Sequence, residues 1–305
     1  MLLAVGLTAC ASDDSDASSG DGAQDGFTPV EIEHAYGTTM IEAKPERIAT
    51  VNWANHEVPL ALGVVPVGMG AANFGDDNGD GIDFDAVNET EPDVILAAYS
   101  GLTQEDYDLL SEIAPVVAFP ETAWGTPWQE MIELNSAGMG MADEGETLVA
   151  ELEQEIADTA ADYPSLSGTS AMFLTHVDTA DLSTVSFYTT HDTRAFFFDD
   201  LGMTQPESVQ VASEETDKFS LSISAEQADN FSDVDVIVTY GGEEIVSALN
   251  DDPLLSQIPA VKNDAIVSLP NADPLGTAAN PTPLAISWVL DDHAGLLAEA
   301  ADKSQ

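Results

Sequence analysis

Apolar residues in this chain alternate between short continuous runs and longer stretches in which they recur every three or four positions. The continuous runs include RIATVNW (47–53), PDVILAAY (92–99) and VDVIVTY (234–240). Such runs are typical of strands buried on both faces of a parallel sheet. Intervening stretches such as TQEDYDLLSEIA (103–114) have the periodicity of amphipathic helices. This alternation predicts the α/β class, with parallel-type sheets covered by helices.

One helical stretch is much longer than the others. In residues 143–164, the side chains of Leu148, Leu152 and Ile156 form one apolar stripe, and a proline ends the pattern. The alternation of strands and helices then starts again. We therefore expect two α/β lobes joined by a single long interlobe helix, with a ligand cleft between the lobes. The predicted ranges are 27–142 for the N-terminal lobe, 143–164 for the helix and 165–305 for the C-terminal lobe.

The first 26 residues have a different character. MLLAVGLTAC (1–10) is an apolar run that ends in the only cysteine, Cys10, and it resembles a bacterial lipobox. No basic segment precedes the run, so we interpret it as a truncated lipoprotein signal; a plain secretory signal with an incidental cysteine is the alternative. Residues 11–26 are rich in Ser, Gly and Asp and predict a disordered tether. We expect an extracytoplasmic protein held by lipid on Cys10 to the membrane of a Gram-positive bacterium.

The charge balance is extreme. Six Lys and Arg residues stand against 56 Asp and Glu residues, which gives a formal net charge of −50. Such a surface repels phosphate groups, so it argues against binding to nucleic acid. It is typical of a hydrated, soluble surface, and adaptation to high salt would explain it. Any positive charge that a ligand needs must come from a small set of residues: Lys44, Arg47, Arg194, Lys218, Lys262 and Lys303.

Several segments, in order, resemble the ferric-siderophore substrate-binding lipoproteins of ABC importers. The opening pieces are Gly37-Thr38-Thr39, Pro45-x-Arg47-Ile48, Glu57 and Leu62-Gly63-Val64-x-Pro66-Val67-Gly68. EPDVILAAYSGLTQEDYDLLSEIAPVVAFP (91–120), TPWQE (126–130), FFFDDLGM (196–203) and PTPLAISWVL (281–290) resemble later blocks. The resemblance covers about residues 30 to 300. Each motif alone is weak, and their common order and spacing carry the resemblance.

The resemblance implies two lobes bridged by one helix that open little, and a ferric siderophore as ligand. The siderophore would saturate the iron, so no protein metal ligand and no intrinsic cofactor are expected. The implied partners are the siderophore and a dimeric permease, with the protein itself a monomer. Catalysis is not expected, because the sequence contains no GxSxG, HExxH or Walker A motif.

Candidate ligand residues follow the predicted strands or stand at a helix start, where they would face the cleft. They are Asn52, Trp53, Tyr99, Ser100, Trp124, Tyr188, Arg194 and Tyr240. Aromatic rings offer rigid apolar walls to a bulky chelate, and arginine can hydrogen-bond the oxygens around the iron. Ordinary core packing is the alternative for each aromatic residue. We assign Trp128 and Trp288 to the core and Arg47 to a structural role.

Two glutamates occupy matching positions in the two lobes. Glu105 in GLTQEDYDLL (101–110) and Glu226 in SISAEQADNF (222–231) each follow a capping residue at the start of a short helix. A glutamate in the first turn favours the helix dipole, which is the structural explanation. The family resemblance implies a second role, in which one exposed Glu on each lobe docks to arginines of the permease dimer.

DDNGDGIDFD (76–85) begins like a calcium loop, with Asp76, Asn78 and Asp80 at alternating positions. A complete loop carries a bidentate Glu at its twelfth position, where this chain has Val87. We expect a solvated loop, with these three residues as ligands of weakly bound calcium if any is bound. A calcium-dependent structural or adhesion lipoprotein is the alternative function from another class.

The sequence indicates the chemical class of the ligand less directly than it indicates the fold. A cobalamin or haem carrier of the same fold is the alternative within transport. The net charge of −50 disfavours a strongly anionic ferric catecholate unless Arg194 or Lys218 offsets it locally. Neutral or cationic hydroxamates are therefore the expected class.

Overall fold

A computed structural model describes residues 27–70, 81–270 and 273–305. The N-terminal lobe contains β1 (Val30–His34), β2 (Gly37–Ile41), β3 (Ile48–Thr50), α1 (Glu57–Ala61), α2 (Phe84–Glu89), β4 (Val94–Ala97), α3 (Gln104–Ser111), β5 (Val116–Ala118) and α4 (Trp128–Gly138). The long helix α5 (Ala142–Asp162) follows. The C-terminal lobe contains β6 (Ala171–Phe173), β7 (Thr184–Tyr188), α6 (Thr193–Asp200), α7 (Glu207–Ser213), β8 (Ser220–Ser224), β9 (Val236–Tyr240), α8 (Glu243–Asp251), α9 (Pro259–Lys262), β10 (Ile266–Leu269), α10 (Pro274–Ala278) and α11 (Pro283–Ser304).

Each lobe is built on a small parallel sheet. The strand order is β3-β4-β5 in the first lobe and β10-β9-β6 in the second, and neighbouring strands run parallel. Every residue of β4 and β9 is buried, because helices cover both faces of these central strands. This confirms the predicted α/β class with two lobes. The exact division of the chain at residues 142 and 165 stays a prediction.

Two antiparallel hairpins accompany the parallel sheets. They are β1–β2 in the first lobe and β7–β8 in the second, and neither was predicted. The largely apolar stretch VPVGMG (65–70) predicts a further strand after the first helix, and this prediction is wrong. There the chain makes only an isolated bridge between Gly68 and Ala49. Pro66 has no N–H to donate to a ladder, which limits pairing at this edge.

Two local predictions need correction. The order Thr126-Pro127 predicts a helix that is capped by Thr126 and has proline at its first position. Instead, helix α4 begins at Trp128 with Pro127 in the capping position, and the hydroxyl of Thr126 donates to the carbonyl of Ala98 at 2.6 Å. Trp288 is 63% exposed on α11, so its assignment to the core was wrong. Trp128 is fully buried, as expected, and its indole N–H donates to the carboxylate of Asp200 at 2.8 Å.

The lobes are joined by more than the long helix. One hydrophobic cluster contains side chains from both lobes and from α5 and α11. The carboxylate of Glu57 on α1 accepts hydrogen bonds from the hydroxyl of Thr282 at 2.5 Å and the N–H of Leu284 at 2.9 Å. It thereby caps the N-terminus of α11 from the other lobe. Together with the bond from Trp128 to Asp200, these contacts resist a wide separation of the lobes.

No helix within the described ranges combines the length and the apolar character needed to cross a membrane.

The buried His293 on α11 predicts a loss of stability in acid. Burial lowers the pKa of its imidazole from 6.5 to about 4. The unfolded chain therefore takes up a proton at a higher pH than the folded chain. Its contribution to stability is complete above about pH 6.5, falls as the pH drops towards 4, and amounts to about 3 kcal/mol.

The measurement is urea unfolding of the wild type and of His293→Leu between pH 7 and pH 4. We expect the stability of the variant relative to the wild type to rise by about 3 kcal/mol across this interval. His176→Leu is the matched control, because His176 is exposed. A constant difference between wild type and His293→Leu would contradict the prediction.

Candidate ligand-binding site between the lobes

The predicted ligand residues of the first lobe collect at the carboxyl ends of β3 and β4. Asn52 and Trp53 follow β3, and Tyr99 and Ser100 follow β4. Because β3 and β4 are parallel, their ends meet at the same edge of the sheet. The amide oxygen of Asn52 accepts from the N–H of Gly101 at 3.2 Å, which ties the two strand ends together.

A buried asparagine that sequence reasoning missed holds this edge in place. Asn55 donates to the carbonyls of Val51 at 2.9 Å and Tyr99 at 2.7 Å, and its side-chain oxygen accepts from the N–H of Tyr99 at 3.0 Å. Asn135 of α4 donates to the same oxygen at 3.0 Å. Asn55 thus fixes the backbone on which Trp53 and Tyr99 stand. Its position two residues after the predicted strand RIATVNW (47–53) was the only sequence signal.

The backbone of this edge is strained. Asn52, Ala54 and Trp124 have φ angles of 59°, 63° and 62°, in the left-handed region that residues with a Cβ rarely adopt. Such conformations persist only where surrounding contacts enforce them, and they concentrate at binding sites. All three lie in or next to the predicted ligand residues, so the strained backbone coincides with the predicted site.

Trp124 lies directly over Gly101. A Cβ at residue 101 would stand 2.2 Å from the indole Nε1 of Trp124, so only glycine leaves room for the ring. The N–H of Trp124 donates to the carbonyl of Ser100 at 2.9 Å. The ring of Tyr99 meets the indole edge-on, with centroids 5.4 Å apart. Trp124 is therefore held by its backbone, by glycine beneath it and by Tyr99 beside it.

Gly101→Ala is expected to weaken ligand binding by displacing the indole of Trp124. We expect the dissociation constant for a ferric siderophore to rise about tenfold, in the range of losing one well-packed aromatic contact. Isothermal titration calorimetry measures the effect. Gly295→Ala on α11 is the matched control, because its nearest contact would be an ordinary 3.4 Å to the hydroxyl of Tyr163. Equal affinities for both variants would contradict the placement of Trp124 in the site.

In the second lobe, Arg194 is surrounded by predicted ligand residues. Its Nε donates to the hydroxyl of Tyr240 at 3.0 Å, and its guanidinium carbon lies 4.1 Å from the ring centre of Tyr188. Its Nη1 donates to both carboxylate oxygens of Asp192, at 2.9 and 2.7 Å. Stacking and hydrogen bonds thus fix the plane of the guanidinium group.

The electrostatics link the two walls of the cleft. Burial raises the pKa of Tyr99, and the charge of Arg194 from the other lobe lowers it in part. Burial likewise raises the pKa of Tyr188 and of Tyr240, again offset in part by Arg194. The three phenols therefore stay protonated at neutral pH and can act as hydrogen-bond donors. The rings of Tyr99, Tyr188 and Tyr240 all belong to one hydrophobic cluster with side chains from both lobes.

The predicted residues differ in accessibility. Asn52, Trp53, Trp124 and Arg194 are half-buried, whereas Tyr99, Ser100, Tyr188 and Tyr240 are buried. The buried rings of Tyr188 and Tyr240 support Arg194, and Tyr99 supports Trp124. Direct contact of these residues with a ligand stays a prediction. Asn280, which sequence reasoning missed, donates to the hydroxyl of Tyr99 at 3.3 Å from the segment before α11.

Two buried polar atoms near this point have no hydrogen-bond partner within the described residues. They are the hydroxyl oxygen of Ser100 and the side-chain oxygen of Asn280. Unpaired buried polar atoms are costly in a folded protein and are often explained by function. Their position beside Tyr99 places unused hydrogen-bonding capacity at the junction of the lobes.

The matched glutamates Glu105 and Glu226 are both exposed. Glu105 is the second residue of α3, two positions after the capping Thr103. Glu226 is the second residue of a short 3₁₀ helix, Ala225–Phe231, two positions after the capping Ser224. The two lobes therefore present a carboxylate in the same local setting. Docking by these residues stays a prediction.

The remaining predicted sites lie outside the described residues. These are the lipidation site Cys10 and the possible calcium ligands Asp76, Asn78 and Asp80. In the part of the chain that is described, no group of three or more His, Cys, Asp or Glu side chains could hold a metal ion.

Comparison with known proteins agrees with this arrangement. The family described as periplasmic binding protein matches residues 48–272. The probable siderophore-binding lipoprotein YfiY of Bacillus subtilis (strain 168) is 27% identical over 262 residues, which are 79% of this chain and 76% of YfiY.

Solved structures extend the similarity. The crystal structure of PiaA from Streptococcus pneumoniae TIGR4 in complex with ferrichrome is 39% identical, with a TM-score of 0.85, and the match covers 90% of this chain and 99% of that one. Staphylococcus aureus SirA complexed with staphyloferrin B shares the fold at 20% identity and a TM-score of 0.69, over 88% of this chain and 98% of SirA. These relatives are solute-binding proteins and not enzymes. The chain belongs to the periplasmic binding protein family.

Proposed function

We propose that this chain is the extracytoplasmic solute-binding component of an ABC importer, and that it captures a ferric siderophore in the cleft between its lobes. The observation that carries the proposal is the setting of Arg194, which is fixed on Tyr188 and Tyr240. These two rings belong to the same hydrophobic cluster as Tyr99 and Trp124 of the first lobe. The ferrichrome complex of PiaA supports a siderophore as ligand.

The cleft offers what a bulky iron chelate requires. The half-buried rings of Trp53 and Trp124 supply rigid apolar area, and the guanidinium of Arg194 can donate to the oxygens that coordinate the iron. Iron would enter and leave as part of the chelate, so the protein needs no metal ligands of its own. The phenols remain protonated and can donate further hydrogen bonds.

Delivery to the membrane follows from the exposed surfaces. We expect lipid on Cys10 to hold the protein at the cell surface and the protein to act as a monomer. Glu105 and Glu226 would dock one lobe to each half of a permease dimer. The name of the B. subtilis relative supports the lipoprotein assignment.

Quenching of tryptophan fluorescence tests the proposal. The protein is titrated with ferrichrome, a ferric tris-catecholate, cobalamin and haem. We expect saturable quenching by a ferric siderophore at one chelate per protein, retained in Trp288→Phe because Trp288 is exposed on α11. Saturation by cobalamin alone, or a Soret band with haem alone, would instead support the other carriers of this fold. Chelator-sensitive folding without any quenching would support the calcium-dependent alternative.

A further inference from the structure

Asp192 is a charged residue that the proposed function does not yet use. Its side chain is completely buried, with 0% exposure. It stands at the N-cap of α6 and accepts from the backbone N–H of Arg194 at 2.9 Å. Capping holds the carboxylate against the first turn of the helix and restricts its rotation.

The same carboxylate forms an ion pair with the side chain of Arg194. The distance from Nη1 of Arg194 to the nearer oxygen of Asp192 is 2.7 Å, and the arginine side chain is only 15% exposed. Nε is bonded to Tyr240, and the guanidinium plane rests on Tyr188. Within the described residues, Nη2 makes no hydrogen bond, so this group remains for a ligand. The ion pair thus fixes the orientation of the guanidinium group through Nη1 and leaves Nη2 available to a ligand.

The ion pair also opposes the charge of Arg194, because the carboxylate of Asp192 brings a negative charge within 2.7 Å of it. Of the other five cations, Arg47 lies at the edge of the first lobe, where it donates to the backbone carbonyls of Thr90 and Glu91, and Lys303 pairs with Asp264. The remaining three, Lys44, Lys218 and Lys262, are exposed, so solvent and salt screen their charges. The wall around Arg194 is therefore close to neutral, within a protein of net charge −50.

Chelate classes differ in charge. Hydroxamates lose one proton per group, so a ferric tris-hydroxamate has no net charge at the metal centre. A ferric tris-catecholate keeps a net negative charge, and its binding would require an uncompensated cation within the low-dielectric cleft.

We infer that Asp192 is a specificity-determining positioning residue: by cancelling and orienting Arg194, it makes the cleft select charge-neutral ferric chelates over anionic ones. This inference rests on the proposed function. On this view the guanidinium group of Arg194 donates hydrogen bonds to the chelate, while Asp192 balances its positive charge. The cleft disfavours an anionic chelate because it offers no uncompensated positive charge, and it favours a neutral chelate through direct contacts.

The test is Asp192→Asn, which keeps the shape and an oxygen that can cap α6 but removes the negative charge. The dissociation constants of a ferric tris-hydroxamate and a ferric tris-catecholate are measured by calorimetry for each protein. We expect the wild type to prefer the neutral chelate, and the ratio of the two constants to shift at least about tenfold towards the anionic chelate in the variant. Asp181→Asn is the matched control, because Asp181 caps a turn at Ser183 on an exposed loop; its ratio should equal that of the wild type.

Several results would overturn the inference. One is a wild type that binds the anionic chelate at least as tightly as the neutral one, and another is an unchanged ratio in a folded Asp192→Asn protein. The double variant Asp192→Asn/Arg194→Gln has no net charge at the pair and should return to a preference for the neutral chelate, at lower affinity. A ratio that stays shifted towards the anionic chelate in the double variant would also count against the inference.

Wild-type measurements keep the inference testable if Asp192→Asn does not fold. As salt rises from low concentration, affinity for the anionic chelate should increase, because repulsion by the acidic protein is screened, while affinity for the neutral chelate stays constant. A fall in anionic affinity with salt would reveal an uncompensated cation and overturn the inference. If neither chelate binds the wild type, the proposed function fails as well; if both bind with an unaltered ratio in the variant, only this inference fails.

Discussion

Removal of the guanidinium group of Arg194 is expected to weaken binding of a ferric siderophore by about 10- to 100-fold. Hydrogen bonds to charged groups contribute about 1.5–3 kcal/mol, and each 1.4 kcal/mol changes a dissociation constant about tenfold. Loss of Arg194 alone would leave the carboxylate of Asp192 buried and unpaired, which destabilises a fold by about 3–5 kcal/mol. The measured protein is therefore Arg194→Gln in the Asp192→Asn background.

Arg47→Gln provides the matched control for this experiment. Arg47 is the other arginine of the chain, and its Nε donates to the carbonyl of Glu91 at 2.7 Å, within the first lobe. Its replacement should lower the melting temperature and leave the dissociation constant unchanged. Calorimetric titration of both proteins with a ferric tris-hydroxamate measures the difference. A double variant that binds as tightly as the wild type would remove Arg194 from the site.

The second large effect concerns transport. Glu105→Ala combined with Glu226→Ala is expected to abolish siderophore-dependent iron uptake in cells while leaving chelate affinity unchanged. Both carboxylates are exposed and lie outside the cluster around Arg194, so their removal affects docking and not binding. Radioactive iron uptake measured in parallel with chelate titration separates the two functions.

Two other exposed glutamates serve as the control pair. Glu112 lies at the C-terminal end of α3, and Glu243 is the first residue of α8. Glu112→Ala/Glu243→Ala removes the same charge from the same two lobes and should retain uptake. A loss of chelate affinity in the Glu105/Glu226 variant, with uptake per bound chelate unaffected, would show that these glutamates belong to the binding site and not to a docking surface.

The strands and the lobes could be predicted because burial on both faces leaves a direct trace in the sequence. VILA at 94–97 and VIVTY at 236–240 are apolar or β-branched throughout, and both are fully buried central strands. The alternating SLSIS at 220–224 was overlooked, because the next segment was read as a helix start. Trp288 was assigned to the core because it falls inside a helix, but a position inside a helix does not show which side of the helix faces solvent.

The site could be predicted in its parts and not in its connections. The aromatic residues and Arg194 could be predicted from their positions at strand ends and at a helix start. The residues that hold them in place could not be predicted. Asp192 is two residues from Arg194 in sequence, where it resembles an ordinary helix cap, and Asn280 binds Tyr99 from 181 positions away. Hydrogen bonds between distant residues leave no periodic pattern, so only the fold reveals them.

The central claim is that the cleft binds an iron chelate. Isothermal titration calorimetry of the mature protein with a ferric tris-hydroxamate, at physiological ionic strength, tests this most directly. We predict one binding site with a dissociation constant below about 1 μM, corresponding to a binding free energy stronger than about −8 kcal/mol. The absence of saturable binding by any ferric chelate under these conditions would contradict it.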